Sequence, residues 1–253
     1  MLLRDKVVIV TGATGGIGRA IIQKLCSEGA KVAGLYRSQS TVAEEIQIEL
    51  AKQGFETSFY QGDISDQAFI AQTFRKIKDR FGRIDVLVNN AGVTSDIFLA
   101  QMQWDEWNNV FQTNFFGTYV CTKEALPYLL EVANPSEEQY GRVINISSVS
   151  ASLGREAQTN YTASKGAVRG LTSLLAREYS QKGIYFNIVA PGLIDTEMIR
   201  HLPEHKKTGM IESSNLKRMG QPEEVAGAVL FLCSSLSNYC NNAVLAVDGG
   251  MLR

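Results

Sequence analysis

The sequence predicts an α/β protein: a Rossmann-type, doubly wound parallel sheet with helices on both faces, organised as one domain over residues 1–253. Three observations predict it. Short apolar, β-branched runs alternate with stretches of helical spacing along the whole chain. The first of these runs passes directly into a glycine-rich turn that opens a helix. No linker, repeat or low-complexity tract divides the alternation, and 253 residues lie within the range of a single α/β domain.

Taken in order, Val7-Val8-Ile9-Val10 is wholly apolar, as a strand buried on both faces must be. It continues into Thr11-Gly12-Ala13-Thr14-Gly15-Gly16-Ile17-Gly18, after which Ala20, Ile21, Ile22, Leu25 and Cys26 recur at helical spacing. Glycines let the backbone approach a pyrophosphate closely, and the helix that follows presents its first amides to the anion. Residues 31–36 read as the second strand, ending in Tyr36-Arg37-Ser38. An acid that holds an adenosine ribose 2′-hydroxyl belongs about here, roughly 20 residues after the glycines. No acid is present, and Arg37 is; a guanidinium suits a 2′-phosphate and favours NADP over NAD.

The alternation then repeats. A helix at 41–53 precedes a strand at 55–61 that ends in Gly62-Asp63-Ile64, and a helix at 66–81 precedes a strand at 84–88 that ends in Asn89-Asn90-Ala91-Gly92. A long helix over 104–132, interrupted in character at Thr113-Asn114, leads through a polar loop at 134–140 to a strand at 142–146 and Ser147-Ser148. The helix carrying Tyr161 runs to about 182, before a strand at 185–189 and Pro191-Gly192. A polar segment, 195–217, holds both histidines, His201 and His205; a helix at 223–232 and a strand at 243–247 close the fold. The glycine turn, Arg37, Asp63, Asn90, Ser148 and Pro191 each follow a strand directly. On a parallel sheet that places all of them on one rim, where ligands bind.

Composition excludes several classes. Net charge is −1 with no long run of one sign, so neither nucleic acid nor an anionic membrane is an expected partner. The four cysteines have no Cys-x-x-Cys pairing and no neighbouring histidine, which reads as reduced thiols in a cytoplasmic protein. Two histidines in one polar stretch offer neither a zinc site nor a triad base, and no metal is expected. The charged start Met-Leu-Leu-Arg-Asp-Lys does not suit a signal peptide, and no window has the apolar length of a membrane span. No lysine of the phosphate-binding loop type follows the glycines, which argues against nucleotide hydrolysis.

What remains on the rim is a dinucleotide site beside a serine and a Tyr161–Lys165 pair. Four residues apart on a helix, these two side chains rise from one face. Alone, Tyr-x-x-x-Lys arises by chance on any amphipathic helix. Here it suits hydride transfer, which needs a protein acid to protonate the new alkoxide. Ser148 is placed to hydrogen-bond the carbonyl, Tyr161 to donate the proton, and Lys165 to lower the phenol's proton affinity and hold the nicotinamide ribose.

Together Thr11-Gly12-x-x-x-Gly16-x-Gly18, Asn89-Asn90-Ala91-Gly92, Asn114, Ser148, Tyr161-x-x-x-Lys165 and Pro191-Gly192 resemble the short-chain dehydrogenase/reductase family over essentially the whole chain. The resemblance implies a tetrad of Asn114, Ser148, Tyr161 and Lys165, with Asn114 holding a water that extends a proton relay from Lys165. Ser147 competes for the serine role; the spacing to Tyr161 resembles the family's and favours Ser148. Within the family, Val93-Thr94-Ser95-Asp96 with Trp107, Gln158-x-Asn160-Tyr161 and Leu175-Ala176-Arg177-Glu178 are similar to 3-oxoacyl-[acyl-carrier-protein] reductases. By that likeness Asp63 and Ile64 flank the adenine, Asn90 the ribose, and Ile194 with Thr196 the nicotinamide. Gly12, Thr14, Gly16, Ile17 and Gly18 hold the pyrophosphate, Ala91 and Gly92 continue the cofactor wall, and Pro191 and Gly192 close it. It also implies NADP(H), a thioester bound to acyl carrier protein, and a homotetramer built through the helices at 104–132 and 159–182. Three positions depart from the pattern. Gly15 replaces an arginine that helps hold the 2′-phosphate, Gln139 replaces a carrier-binding arginine while Lys182 keeps the second such charge, and Cys240-Asn241 replaces Thr-Gly near a subunit interface. Beside an acyl thioester, a free sugar, polyol, steroid or quinone therefore stays open as substrate, as does a module that senses NADP(H) without turnover. Residues 195–217 are expected to form a substrate lid.

Overall fold

A computed structural model describes residues 1–200 and 203–252; His201 and Leu202 of the expected lid segment lie outside them. Seven parallel strands form one sheet in the order β3-β2-β1-β4-β5-β6-β7: β1 Val7–Thr11, β2 Lys31–Tyr36, β3 Thr57–Gln61, β4 Val86–Asn89, β5 Gly141–Ile146, β6 Ile184–Pro191 and β7 Val244–Val247. The chain winds outward from β1 to β3, then returns to pair β4 on the other side of β1, with Val8 opposite Val86 and Val10 opposite Val88. That reversal between β1 and β4 opens the crevice in which a doubly wound sheet binds its ligand.

The strands are buried because each face is covered, and the strand pleat assigns alternate residues to opposite layers. Val8, Val10, Ile144, Ile146 and Val189 face a layer that includes Ile21, Ile22 and Leu25 of α1 (Gly16–Ser27) and Ile46 and Leu50 of α2 (Ser40–Lys52). Val7, Ile9, Leu87, Val143 and Phe186 face Ile70, Phe74 and Ile77 of α3 (Gln67–Phe81). The predicted helix at 66–81 begins one residue later because Asp66 is its cap, accepting from the amides of Ala68 and Phe69.

The long helix expected at 104–132 is α4 (Trp104–Phe111), a π-helical turn over Gln112–Phe116, and α5 (Gly117–Val132). The Thr113-Asn114 interruption is therefore a widening of the helix, not a break, a device common at functional sites. After β5 comes a four-residue helix, α6 (Ser150–Leu153), and then α7 (Thr159–Tyr179); residues 180–182, expected as helix, tighten into a 3₁₀ turn. The polar segment at 195–217 is not a plain excursion: it contains α8 (Glu197–Arg200) and α9 (Glu204–Ser213). Finally α10 (Pro222–Cys233) packs beside α1, opened by Pro222 and a Gln221–Glu224 capping box. The helix residues of α10 that reach the core are Val225, Ala226, Val229, Leu230 and Leu232.

Candidate active site

A cavity of about 390 Å³ runs along the carboxyl ends of the strands. Its walls include every cofactor residue expected from the sequence: Gly12, Thr14, Gly16, Ile17, Gly18, Arg37, Asp63, Ile64, Asn90, Ala91, Gly92, Tyr161, Lys165, Pro191, Gly192, Ile194 and Thr196. Ser148 joins them, and so does Ser147. Asn114 does not; its neighbour Thr113 does.

The glycine turn is built for close approach. Gly12 has φ +68°, which glycine adopts without strain. A Cβ on Gly18 would lie 2.2 Å from the Gly12 carbonyl oxygen, so no side chain fits there. No side chain caps the start of α1 and no acid occupies its first turn, leaving its amides and dipole for an anion. Asn90 does not merely line the cavity. Its Nδ2 donates to the carbonyls of Thr11 (2.9 Å) and Gly12 (3.2 Å), while the Thr11 hydroxyl accepts from the amides of Asn90 and Ala91 at 3.0 Å each. The two loops at the switch point are thereby fixed to each other.

At the adenosine end, Arg37 is exposed at the tip of β2, and no carboxylate lies within ion-pairing distance of it among the described residues. Asp63 is oriented by the amide (2.8 Å) and hydroxyl (2.7 Å) of Ser65. Ile64 packs on Gly117, where a Cβ would come within 2.4 Å of its Cδ1. At the other end Thr196 reaches over the glycine turn, its methyl 3.1 Å from where a Gly16 Cβ would stand, and Glu197, Met198 and Ile199 of α8 continue that wall.

The tetrad residues come together around Gly92 and the start of α7. Lys165 is 4 % exposed, its Nζ donates to the Ile146 carbonyl at 2.8 Å, and desolvation draws it from 10.5 to about 8. A Cβ on Gly92 would lie 3.3 Å from Lys165 Nζ and 3.4 Å from Asn114 Oδ1, so the three converge. Burial raises the Tyr161 phenol above its ordinary value; hydrogen bonding with Ser148 and the charge of Arg155 act downward, and Asp96 acts upward. The Lys165 ammonium lies 5.8 Å from the Tyr161 ring centroid and donates to a backbone carbonyl. Asn114 is held by three side-chain hydrogen bonds. Its Oδ1 accepts from the Val93 amide (2.8 Å) and its Nδ2 donates to the Val93 carbonyl (3.0 Å) and the Ser164 hydroxyl (3.1 Å). Both donors of the amide are occupied, so the side chain braces the loop after β4 against α7, while Oδ1 keeps a second lone pair.

Ser148 Oγ accepts the Ser150 amide at 3.1 Å, and its hydrogen bond with Tyr161 sets hydroxyl and phenol side by side at one end of the cleft. Ser147 is spent on the Lys165 carbonyl at 3.2 Å, in agreement with a strand-end role. Sequence reasoning named Asp96 and Gln158 only as likenesses and missed Arg155 and Ser164 as part of the site. The one available signal was position: Arg155 and Gln158 lie within one to two helical turns before Tyr161, in a segment that reads as ordinary polar loop. Among the described residues no group of three or more His, Cys, Asp or Glu could hold a metal ion, and no helix is long and apolar enough to cross a membrane.

The geometry is that of a nicotinamide-dinucleotide cleft ending at a serine, a tyrosine and a lysine. Residues 12–252 match the family described as enoyl-(acyl carrier protein) reductase. Full-length relatives agree. The chain is 37 % identical over 251 residues to the 3-oxoacyl-[acyl-carrier-protein] reductase FabG of Escherichia coli strain K12, covering 99 % of each protein. It is 38 % identical over 249 residues to that of Haemophilus influenzae and 36 % over 247 residues to that of Staphylococcus epidermidis, in both cases covering 98 % of this chain and 99 % of the relative. Sheet order, cleft and these matches lead to one statement of kinship: the chain belongs to the short-chain dehydrogenase/reductase family.

Proposed function

We propose that this protein reduces a 3-oxoacyl thioester, carried on acyl carrier protein, to the 3-hydroxyacyl form with NADPH. The observation that carries the reading is the single cavity in which Arg37, the uncapped start of α1 and the Ser148–Tyr161–Lys165 group occupy successive positions. The relatives named 3-oxoacyl-[acyl-carrier-protein] reductase over the full chain support the substrate class.

When bound, the nicotinamide cofactor supplies the hydride. The chain's residues do the rest. Arg37 meets the 2′-phosphate and the glycine turn cradles the pyrophosphate. Ser148 donates a hydrogen bond, without transferring its proton, to the 3-oxo oxygen, polarising the carbonyl and fixing which face is presented. Tyr161 protonates the same oxygen as charge develops on it. Burial keeps the phenol protonated at neutral pH, which suits a donor; Lys165, drawn down to about 8 by burial, is still charged at neutral pH and would hold the nicotinamide ribose. The segment 195–217, with α8 on the cavity wall and Met210 of α9 against Arg155, serves as the lid. The protein acts in the cytoplasm as a homotetramer: Phe116 and Tyr119 (47 % and 41 % exposed), at the start of α5, and Leu174 of α7 (60 %) are apolar surface that a second copy covers.

A second reading keeps the chemistry and replaces the carrier-bound thioester by a free small carbonyl compound. Gln139 favours it: the side chain is neutral and donates to Glu137 at 3.0 Å, so one of the two expected carrier-binding charges is gone. Lys182, held 4.6 Å over the Tyr179 ring, keeps the other. A kinetic panel separates the readings. NADPH oxidation is measured with a 3-oxoacyl thioester on carrier protein, its coenzyme A surrogate and free ketones. Preference for thioesters in kcat/KM supports the first; a ketone that outperforms both thioesters sinks it. An NADP(H) sensor predicts no turnover with any of them.

A further inference from the structure

Asp96 and Gln158 stand outside the tetrad and outside the cofactor cleft, yet they connect to both groups that handle the carbonyl oxygen. Gln158 is the residue before α7 and is 4 % exposed. Its Nε2 donates to both carboxylate oxygens of Asp96 at 3.0 Å, and its Oε1 accepts from the Ser150 hydroxyl at 3.4 Å. The Ser150 amide in turn donates to Ser148 Oγ. The contact is thus continuous from a carboxylate after β4 to the serine that meets the substrate.

A backbone rung runs beside it: the Ile97 amide donates to the Ala157 carbonyl at 2.8 Å, and Ile97 pairs with Gln158 as an isolated parallel bridge. Ala157 has φ +61°, a left-handed conformation that costs a non-glycine residue roughly 1 kcal/mol and persists only where the surroundings fix it. A neutral amide cannot be held in one orientation by a hydroxyl, which donates or accepts equally well. A carboxylate only accepts, so Asp96 fixes which way the Gln158 amide points, and Gln158 then fixes Ser150. Such a fixed chain is what the orientation of Ser148 requires.

We infer that Asp96 and Gln158 are positioning residues for the reduction: through Ser150 they aim the Ser148 hydroxyl at the substrate oxygen. The inference deepens the proposed function and rests on Tyr161 as proton donor. The charged groups that face Tyr161 are Asp96 from the segment after β4, Arg155 from the segment before α7 and Lys165 one turn along α7; Glu197 on the lid side of the cavity pairs with Arg200 at 3.6 Å. Asp96 and Arg155 oppose each other, the first favouring the neutral phenol and the second the phenolate.

The two effects separate in two substitutions of a half-exposed loop residue. Asp96→Asn keeps an acceptor for Gln158 but removes the charge; Asp96→Leu removes both. In reduction, activity falls with rising pH as Tyr161 loses its proton, and that limb is read for each variant with whichever carbonyl substrate the wild type turns over. Asp96→Asn is expected to move the limb to lower pH and Arg155→Gln to move it to higher pH. Asp96→Leu is expected to lower kcat by a further factor of about ten at its own optimum, with KM for NADPH constant. Tyr161→Phe, run alongside, reports on the underlying reading: residual activity near wild type overturns the tyrosine itself. With Tyr161→Phe inactive, a limb that stays in place in both charge variants overturns the electrostatic role. Equal kcat in Asp96→Asn and Asp96→Leu overturns the positioning role. A purely structural contact leaves the limb where it was.

Discussion

At the amino ends of the strands, Asp85 is buried just before β4 and holds Lys6 at 3.1 Å, Arg83 through two donors and the Val7 amide at 2.9 Å. At the carboxyl ends, Lys165 is equally buried and has one backbone carbonyl as partner, while Arg37 has no carboxylate within reach among the described residues. Both ends place charge at the margin of an apolar sheet. One end satisfies it with three partners; the other leaves capacity unused around about 390 Å³ of space. Desolvation without compensation is costly for stability and useful for chemistry, since it leaves groups whose needs a ligand can meet. The distinction between the two ends therefore predicts which substitutions alter rate and which alter stability.

The largest expected effect is on rate. Tyr161→Phe removes only the phenolic oxygen, so kcat for reduction should fall about 10²- to 10⁴-fold, the range of a general acid, while NADPH binding measured by fluorescence titration stays within a factor of about three. Thermal stability should hardly move. A variant that loses stability in proportion to activity would make the rim an ordinary structural edge.

The mirror experiment is Asp85→Ala. It leaves two cations without their carboxylate and the Val7 amide without an acceptor. Lys6 and Arg83 are each about one-third exposed and partly rehydrate, so the loss should be about 2–3 kcal/mol in urea unfolding, less than for a fully buried pair. Activity per folded molecule should be retained. If kcat falls instead, the two ends communicate, and the division between them fails.

How much of this was legible in the sequence follows the same division. Strands buried on both faces announce themselves as apolar runs, and the glycine turn, Arg37, Asp63, Asn90, Ser148 and Pro191 are placed by topology alone because each follows a strand. Boundaries shifted where a cap decides them, as at Asp66, or where a strand starts late, as at Thr57. The direction in which a side chain spends its hydrogen bonds was not legible. Spacing puts Lys165 beside Tyr161, but only the three-dimensional fold shows its ammonium on the Ile146 carbonyl, and the Asn114 amide, on the π-helical turn, on Val93 and Ser164. Gln158 and Asp96 are 62 residues apart, and nothing local in either segment announces their contact. Helices α8 and α9 also escaped, since a polar stretch without an apolar stripe carries no helical signature.

Lys165→Met tests the cost of leaving a charge unmatched. The lysine falls from 10.5 to about 8 on folding. Below pH 8 both folded and unfolded chains carry the proton, and the folded one bears the burial penalty. Between pH 8 and 10.5 the folded chain loses its proton first, so wild-type stability rises with pH through that window. Methionine keeps the volume and removes the charge. At about 1.4 kcal/mol per unit, less the acceptor left unpaired at Ile146, the variant should be more stable by about 1–2 kcal/mol at pH 7. The advantage should shrink toward pH 10.5, and catalysis should be lost. Unfolding of both proteins at pH 7 and pH 10 reads the difference directly. A variant less stable at pH 7 would mean that Lys165 is compensated after all.

The smallest effect concerns the unused capacity around Arg37. Gly15 has φ −74° and ψ 159°, an extended conformation open to any residue, and a Cβ there meets only the Gly12 carbonyl oxygen at an ordinary 3.5 Å. Gly15→Arg therefore adds a second guanidinium to the end of the cleft where Arg37 stands, at no steric cost beyond a few tenths of a kcal/mol for replacing glycine at a helix cap. A charge-assisted contact to an exposed phosphate is worth about 1 kcal/mol, so KM for NADPH should fall about fivefold while KM for NADH stays constant. The same change in KM for both cofactors would assign the new charge to the pyrophosphate, which they share. A fall confined to NADPH locates the 2′-phosphate between residues 15 and 37, and shows that the open charge at this end of the sheet is capacity the fold can still take up.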